Sequence, residues 1–270
     1  MIRVIRKPTD TPGDDSTAQV MAALNEAGVD WTVLDLDSVD PFAPGIANDV
    51  IWACGLRQDG YQFEALQALA LANRVVNTPL AIMTCASKVL TTALIARAGL
   101  PSPATGFLRT REQAGAFIAA HGGRAVFKPV YGYDGNGIRL VDSVGALDDP
   151  PYYLQEMVPN EEDYRIFVIG GEAVGGIRRT SPHLTHNIHQ GGRGEAIEVT
   201  PAMAELSVAA ARAVGADYAG VDLLPTGGGF TVLEVNGTPN WHCMSAPIPR
   251  LLAEYLVRCG EEAAGITPRR

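Results

Sequence analysis

Cysteine is scarce and scattered: Cys54, Cys85, Cys243 and Cys259 include no Cys-x-x-Cys pair. That excludes a disulfide framework and a cysteine-built zinc site, and points to free thiols in a reducing, cytoplasmic compartment. Long apolar runs are missing too. The stretch 65–76 has the length of a buried helix, so no membrane span is expected. The first seven residues lead into Pro, Thr and Asp without an apolar core, and no signal peptide is expected. Basic residues are outnumbered, 21 Lys and Arg against 30 Asp and Glu, for a net charge of −9. This argues against a general affinity for nucleic acid or anionic membrane and leaves room for a local basic pocket. There is no internal repeat and no Gly-x-Ser-x-Gly nucleophile motif.

What is present is an ordinary globular composition, 47% hydrophobic and 19% charged over 270 residues. That length accommodates a sizeable core and two or three small domains. Near the C-terminus, Gly220-Val221-Asp222-Leu223-Leu224 and Phe230 to Gly237 flank Pro225-Thr226-Gly227-Gly228-Gly229. The pattern reads as a β-hairpin with a glycine-rich turn. Glu234 and Asn236, two apart, share a face. A hairpin centred near Gly228 puts Asp222 opposite Glu234, with Cβ atoms about 5 Å apart. Opposed carboxylates repel unless a cation lies between them. Two carboxylates and an amide oxygen are hard donors of the kind Mg²⁺ takes alongside substrate phosphates. The plainer alternative is a wet face with incidental acids, but the flanking residues are too apolar for one.

Residues 1–84 alternate strands and helices and predict a parallel sheet covered on both faces. Strands are expected at 2–5, 31–36, 50–54 and from 74, with a helix capped by Ser16 through about Ala27 and a second over 61–73. The unit has no Gly-x-Gly-x-x-Gly, so it gives no sign of dinucleotide binding. Residues 85–153 form a second unit. A helix capped by Ser87 runs over 88–98, a second covers 111–121, and strands at 124–130 and 138–141 flank the loop Tyr131-Gly132-Tyr133-Asp134-Gly135-Asn136-Gly137. From 154 to 270 the chain is mostly β, with a hairpin about Gly170-Gly171-Glu172, a helix over 200–214, the hairpin above and a closing helix from Ile248.

Lys128 ends a strand that feeds the glycine loop. Gly132, Gly135 and Gly137 let backbone N–H groups approach an anion, and Lys128 adds a point charge. An ordinary turn with a surface lysine is the bland alternative. It is not a Walker A loop, since the lysine precedes the glycines and no helix follows. A two-residue turn at Gly171-Glu172 sets Arg165 opposite Arg178 on one face. Opposed like charges call for an anion nearby, and guanidinium forks match phosphate. Gln155-Glu156-Met157-Val158 mixes polar and apolar residues as a purine site would, although by itself the stretch fits plain core better. His186 and His189 lack a third metal ligand nearby in sequence, and a substrate-contacting loop is the better reading of 187–193.

These residues, in this order, resemble the ATP-grasp superfamily over roughly 75–260. Asp163-Tyr164-Arg165, Arg178-Arg179, Asn187 to Gly192, Ala219 to Asp222 and Glu234 to Pro239 are most similar to the RimK-like α-L-glutamate ligases. The resemblance implies an ATP-grasp fold of class α/β, with α+β character in its C-terminal part. It also implies an N-terminal pre-ATP-grasp domain and a nucleotide held between two α+β subdomains. It implies ATP and Mg²⁺ (or Mn²⁺) as cofactors. Lys88, Lys128, the glycine loop, Gln155, Glu156, Met157, Val158, Asp163 and Arg165 would hold the nucleotide. Asp222, Glu234 and Asn236 would hold the metal. Arg178, with Arg165 and Lys128, would stabilise the transferring phosphoryl group. Arg179, Asn187, His189 and Arg193 would meet substrate. The implied reaction joins L-glutamate or another amino acid to a carboxylate acceptor through an acylphosphate. The acceptor would be a pterin- or methanofuran-type precursor or a protein C-terminus. The family's loop often carries arginine where Gln190 stands, and the 182–186 segment is unusual, so the acceptor stays open. Another ATP-grasp peptide ligase or a nucleotide-binding regulator are the alternatives, and homodimers and homotetramers are common in the family.

Overall fold

The computed structural model describes residues 1–11, 15–57, 60–130, 136–182 and 191–263. Three sheets organise them. The first is fully parallel, in the order β2-β1-β3-β4, from β1 (Ile2–Ile5), β2 (Trp31–Val33), β3 (Val50–Ala53) and β4 (Arg74–Val76). Its strands alternate between two apolar faces, as a doubly covered parallel sheet requires. Val4, Val50, Trp52 and Val76 face one core. Ile5, Ile51, Ala53 and Val75 face the other, under Leu66 and Leu69 of α2 (Tyr61–Ala70).

The second sheet is antiparallel, in the order β5-β8-β6-β7, from β5 (Thr105–Leu108), β6 (Ala125–Lys128), β7 (Arg139–Val141) and β8 (Tyr152–Glu156). Helix α5 (Arg111–Ala120) packs Ala114 and Ile118 against Ala125, Tyr152 and Leu154. Strand β8 runs through position 153, where a domain boundary was expected. The third sheet is also antiparallel, β11-β10-β9-β12-β13, from β9 (Glu162–Ile169), β10 (Glu172–Thr180), β11 (Arg193–Ile197), β12 (Tyr218–Thr226) and β13 (Gly229–Asn236). One face, with Ile166, Val168, Val221, Leu223, Val232 and Val235, lies under α6 (Pro201–Ala213) and Ile95 of α4 (Lys88–Arg97).

The other face of the third sheet is split. Phe167, Ile169 and Tyr218 join the first sheet's core, with α1 (Ser16–Glu26) and α7 (Ile248–Ala263). The rest of that face carries the charged and polar residues of the site described below, with Ile177 and Leu224 buried among them. Helix α7 therefore returns to close a core begun by the first strand. Arg74 and the Tyr255 hydroxyl both bond Asp217, which fixes the join between β4, α7 and the start of β12.

Local chemistry sets most helix starts. Ser87, Thr110 and Thr200 accept from the N–H three residues on, as N-caps do. Two expectations need correction. The cap of α1 is Asp15, which accepts from Ala18, and Ser16 is already helical and buried. The strand expected at 31–36 stops at Val33, because Asp35 caps a 3₁₀ turn over Leu36–Ser38. The structure adds a helix α3 (Pro79–Ala86), with Thr78 as cap and Pro79 at its first position, the usual signature of a helix start. It also adds β5 and β11, short edge strands whose weak apolar patterning gives little sequence signal.

Candidate active site

The polar half of the third sheet's inner face is built by strand alternation. Asp163 and Arg165 of β9, Arg179 of β10, Asp222 of β12 and Glu234 and Asn236 of β13 all project from it. The register sets Asp222 opposite Glu234 on one side and opposite Arg165 on the other. The expected Asp222–Glu234 pairing is thus present, but for a reason the sequence did not show. Thr226 pairs with Gly229 and Leu223 with Val232, so plain continuation would set Asp222 opposite Leu233. A β-bulge between Asp222 and Leu223 absorbs Leu233. The bulge lets Val232 and Val235 both enter the core while Glu234 and Asn236 face the site.

A second bulge corrects an expectation. Ile169 pairs with Glu172, and a shift between Ala173 and Gly175 then sets Arg165 opposite Ile177 and Arg178 opposite Tyr164. Arg165 and Arg178 therefore lie on opposite faces. Arg178 pairs with Glu162 and Glu195 at an exposed edge. Arg193, opposite Thr180, shares the Arg178 face. The guanidiniums on the site's face are Arg165 and Arg179.

Those two arginines hold Asp222. Arg165 Nε and Nη2 donate to its two oxygens at 2.7 and 2.8 Å, and Arg179 Nη2 lies 3.0 Å from Oδ2. Arg179 Nε also donates to Asp163 at 2.6 Å. Burial would raise the Asp222 pKa, but the two guanidiniums overcome it and hold the carboxyl at about 2. Gly220 lets this happen: a Cβ there would sit 3.3 Å from Arg165 Cδ and 2.8 Å from Pro239 Cβ.

The second sheet supplies the facing wall. Lys128, Tyr153, Gln155 and Thr105 share one of its faces by register. Lys128 is buried, and its Nζ donates to Gln155 Oε1 at 2.7 Å. Gln155 Nε2 donates to Thr105 Oγ1, which turns the amide oxygen toward the lysine. Burial lowers the Lys128 pKa to about 8; Glu234 and Asp222 pull it up and Lys88 pushes it down. Lys88 opens α4, and its backbone N–H donates to Val130 O. The field of Glu234 also reaches Tyr153 and Cys85, whose thiol burial pushes up to about 12. Lysines from one wall and carboxylates from the other thus converge.

The remaining expected residues fall around this centre. Glu156 ends β8, and its N–H donates to Ala104 O; Met157 and Val158 follow it, half-buried. Gly137 adopts φ 75°, and a Cβ there would meet Pro129 Cγ at 2.9 Å, so the glycine loop's exit folds back beside Lys128. Gly132, Gly135, Asn187 and His189 lie outside the described residues.

Whether Asp222, Glu234 and Asn236 suit a divalent cation is a question of donors. Among the described residues Glu234 makes no hydrogen bond or ion pair, so its half-buried carboxylate is available. Asn236 Nδ2 donates to Gly220 O at 3.1 Å and toward Asp222 Oδ2 at 3.4 Å, which presents its amide oxygen away from both. Asp222 Oδ2 is saturated by its donors, whereas Oδ1 takes only one. Three side chains with hard oxygens therefore remain, a donor set that fits Mg²⁺.

Comparison with known proteins follows the same lines. Residues 85–257 match the model of the RimK-like ATP-grasp domain. The tetrahydromethanopterin:α-L-glutamate ligase of Methanosarcina acetivorans is 32% identical in an alignment that covers 67% of this chain and 68% of that one. A probable α-L-glutamate ligase of Methanococcoides burtonii is 30% identical over 84% of this chain and 79% of its own. Among solved structures, the ATP-grasp ligase PsnB complexed with minimal precursor, Mg and ADP superposes with a TM-score of 0.76 at 22% identity. That match covers 96% of this chain and 98% of PsnB.

Proposed function

Since the chain belongs to the RimK-like ATP-grasp family, we propose that it is an ADP-forming carboxylate–amine ligase that joins L-glutamate to a carboxylate acceptor through an acylphosphate. The observation that carries the reading is the convergence of two walls: Lys128 and Lys88 on one side, Glu234, Asn236 and Asp222 on the other. Lysine charge suits phosphate oxygens, and hard oxygen donors suit the cation that accompanies them. The glutamate ligases named above are the relatives that suggest the amino acid.

Each residue's part follows from its place. Lys128 in its ammonium form, and Lys88 beside it, bind and orient the phosphates. Gln155, turned by Thr105, keeps the Lys128 ammonium aimed into the cleft. Glu234 and Asn236, with Asp222 Oδ1, would hold Mg²⁺, which when bound neutralises phosphate charge. Arg165 and Arg179 keep Asp222 ionised and face the reacting groups in the role expected of Arg178. The glycine loop that follows Lys128 would cover the nucleotide. The acceptor carboxylate attacks the γ-phosphate and ADP leaves. The α-amine of glutamate then displaces phosphate from the acyl carbon, and the amide remains. Positioning and electrostatics supply the rate, as in other phosphoryl transfers.

The test is ADP release with ATP, Mg²⁺ and each standard amino acid, with and without a small-molecule extract, the products read by mass spectrometry. Release that needs glutamate and extract, with a product heavier by one glutamyl unit, is expected. Glu234→Ala should abolish release while the protein stays folded. Unchanged turnover in that variant would discard the metal assignment, and release with a different amino acid would discard glutamate.

A further inference from the structure

The hairpin that carries Asp222, Glu234 and Asn236 ends against the first sheet, and one side chain of that sheet grips its open end. Asn77 directly follows β4 and is 0% exposed. Its Nδ2 donates to the carbonyls of Tyr218 and Gly237, each at 2.7 Å. Its Oδ1 accepts from the N–H of Asp217 at 2.6 Å and of Tyr218 at 3.1 Å. The carboxamide thus uses both donors and both acceptor sites, its full capacity. All four partners are backbone groups at the entrance of β12 or the exit of β13.

Both segments bear on Asn236. Gly237 is its peptide neighbour, and Gly220, two residues after Tyr218, accepts its Nδ2. The chain beyond is pinned as well. A Cβ at Gly237 would lie 3.1 Å from Cys85 Cβ and 3.3 Å from its Sγ, and Trp241 Nε1 donates to Gln19 of α1 at 2.8 Å.

We propose that Asn77 is a positioning residue for the metal–nucleotide site: its carboxamide fixes the hairpin's open end, so that Asn236 presents its amide oxygen in register with Glu234. The inference rests on the functional reading above. A shorter hydroxyl side chain cannot meet all four partners, so buried peptide groups go unpaired and the strand ends relax. Mg²⁺ and Mn²⁺ tolerate little displacement of their ligands, and loss of a supporting residue typically weakens metal binding by about 10- to 100-fold.

The experiment uses the full chain and measures free Mn²⁺ by electron paramagnetic resonance in the presence of ADP, with ADP affinity in EDTA measured separately. Asn77→Ser should raise the Mn²⁺ concentration for half-saturation about tenfold while metal-free ADP affinity stays within about twofold. In an Asn236→Ala background the same substitution should add nothing, because the ligand it positions is gone. A folded Asn77→Ser protein that binds Mn²⁺ like the wild type would overturn the inference, leaving Asn77 a structural fastener. So would a full further weakening in the Asn236→Ala background. If Asn77→Ser does not fold, Gly237→Ala displaces the same peptide against Cys85 and should weaken Mn²⁺ binding likewise; unchanged affinity would again overturn the inference. Wild-type protein that binds no Mn²⁺ with ADP would overturn the functional reading and this inference together.

Discussion

Lys128 must carry charge where charge is costly. Its ammonium is buried against Gln155, and burial lowers its pKa to about 8. Two pH effects follow, of opposite sense. The free enzyme should lose affinity for phosphates as Lys128 deprotonates, so kcat/KM for ATP should fall above about pH 8. Lys128→Arg, which stays charged, should remove that limb; a limb unmoved in that variant would assign it to another group. Stability should move the other way. Between the folded pKa near 8 and the unfolded value near 10.5 the unfolded chain binds more protons, so stability rises with pH across that window. Relative to Lys128→Met, the wild type should gain about 2 kcal/mol between pH 7 and 10, read from urea unfolding. At the same scale, Arg178 and Arg179 are neighbours whose faces no residue-type argument distinguishes. Lys128 and the Asp222, Glu234 and Asn236 set stand out in the sequence because their chemistry is specific, whereas Lys88 comes only with the family resemblance and the choice between two adjacent arginines is not legible at all.

At the scale of elements, the site is made by two bulges. Alternation alone would turn Glu234 into the core beneath α6. The extra residue at Leu233 restores Glu234 and Asn236 to the polar face while leaving Val232 and Val235 inside. Deletion of Leu233 should therefore force a choice between burying Glu234 and stranding two valines. Either costs several kcal/mol by the usual magnitudes for buried charge or lost core contacts. The expected result is a strongly lowered melting temperature and no ADP-dependent Mn²⁺ binding. Retention of both would mean that the strand slips without cost. Bulges are hard to read from one sequence because they depend on which strand lies alongside. Symmetry about Gly228 did place Asp222 opposite Glu234, but the same approach misplaced Arg165 and Arg178, where the shift near Ala173 moves the pairing.

At the scale of the molecule, the first and third sheets share a core. Phe167, Ile169 and Tyr218 meet Val4, Trp52 and Val76, and α7 contributes Ile248, Leu252 and Leu256 to the same cluster. A fragment of residues 1–84 lacks α7 and those strands, so α1 alone would cover one face of its parallel sheet and the rest of that face would meet water. It should be unfolded or molten by circular dichroism and dye binding, while the full chain unfolds in one transition. A fragment with a cooperative melt of its own would show that the first unit is self-sufficient. The same shared core lets Asn77, distant in sequence, grip the hairpin that carries the expected metal ligands.

The sequence by itself determined the alternation of strands and helices, most helix starts, the hairpin with its hard oxygen donors and the lysine before the glycine loop. These are local properties: capping, turn chemistry and side-chain period act over a few residues. Only the tertiary structure decided which arginines face the site, how Asp222 is held, and that a buried asparagine from the first sheet ties the hairpin's end. Register and bulges arise from pairing between distant strands, and the hydrogen bonds of a buried amide depend on partners some 140 to 160 residues away.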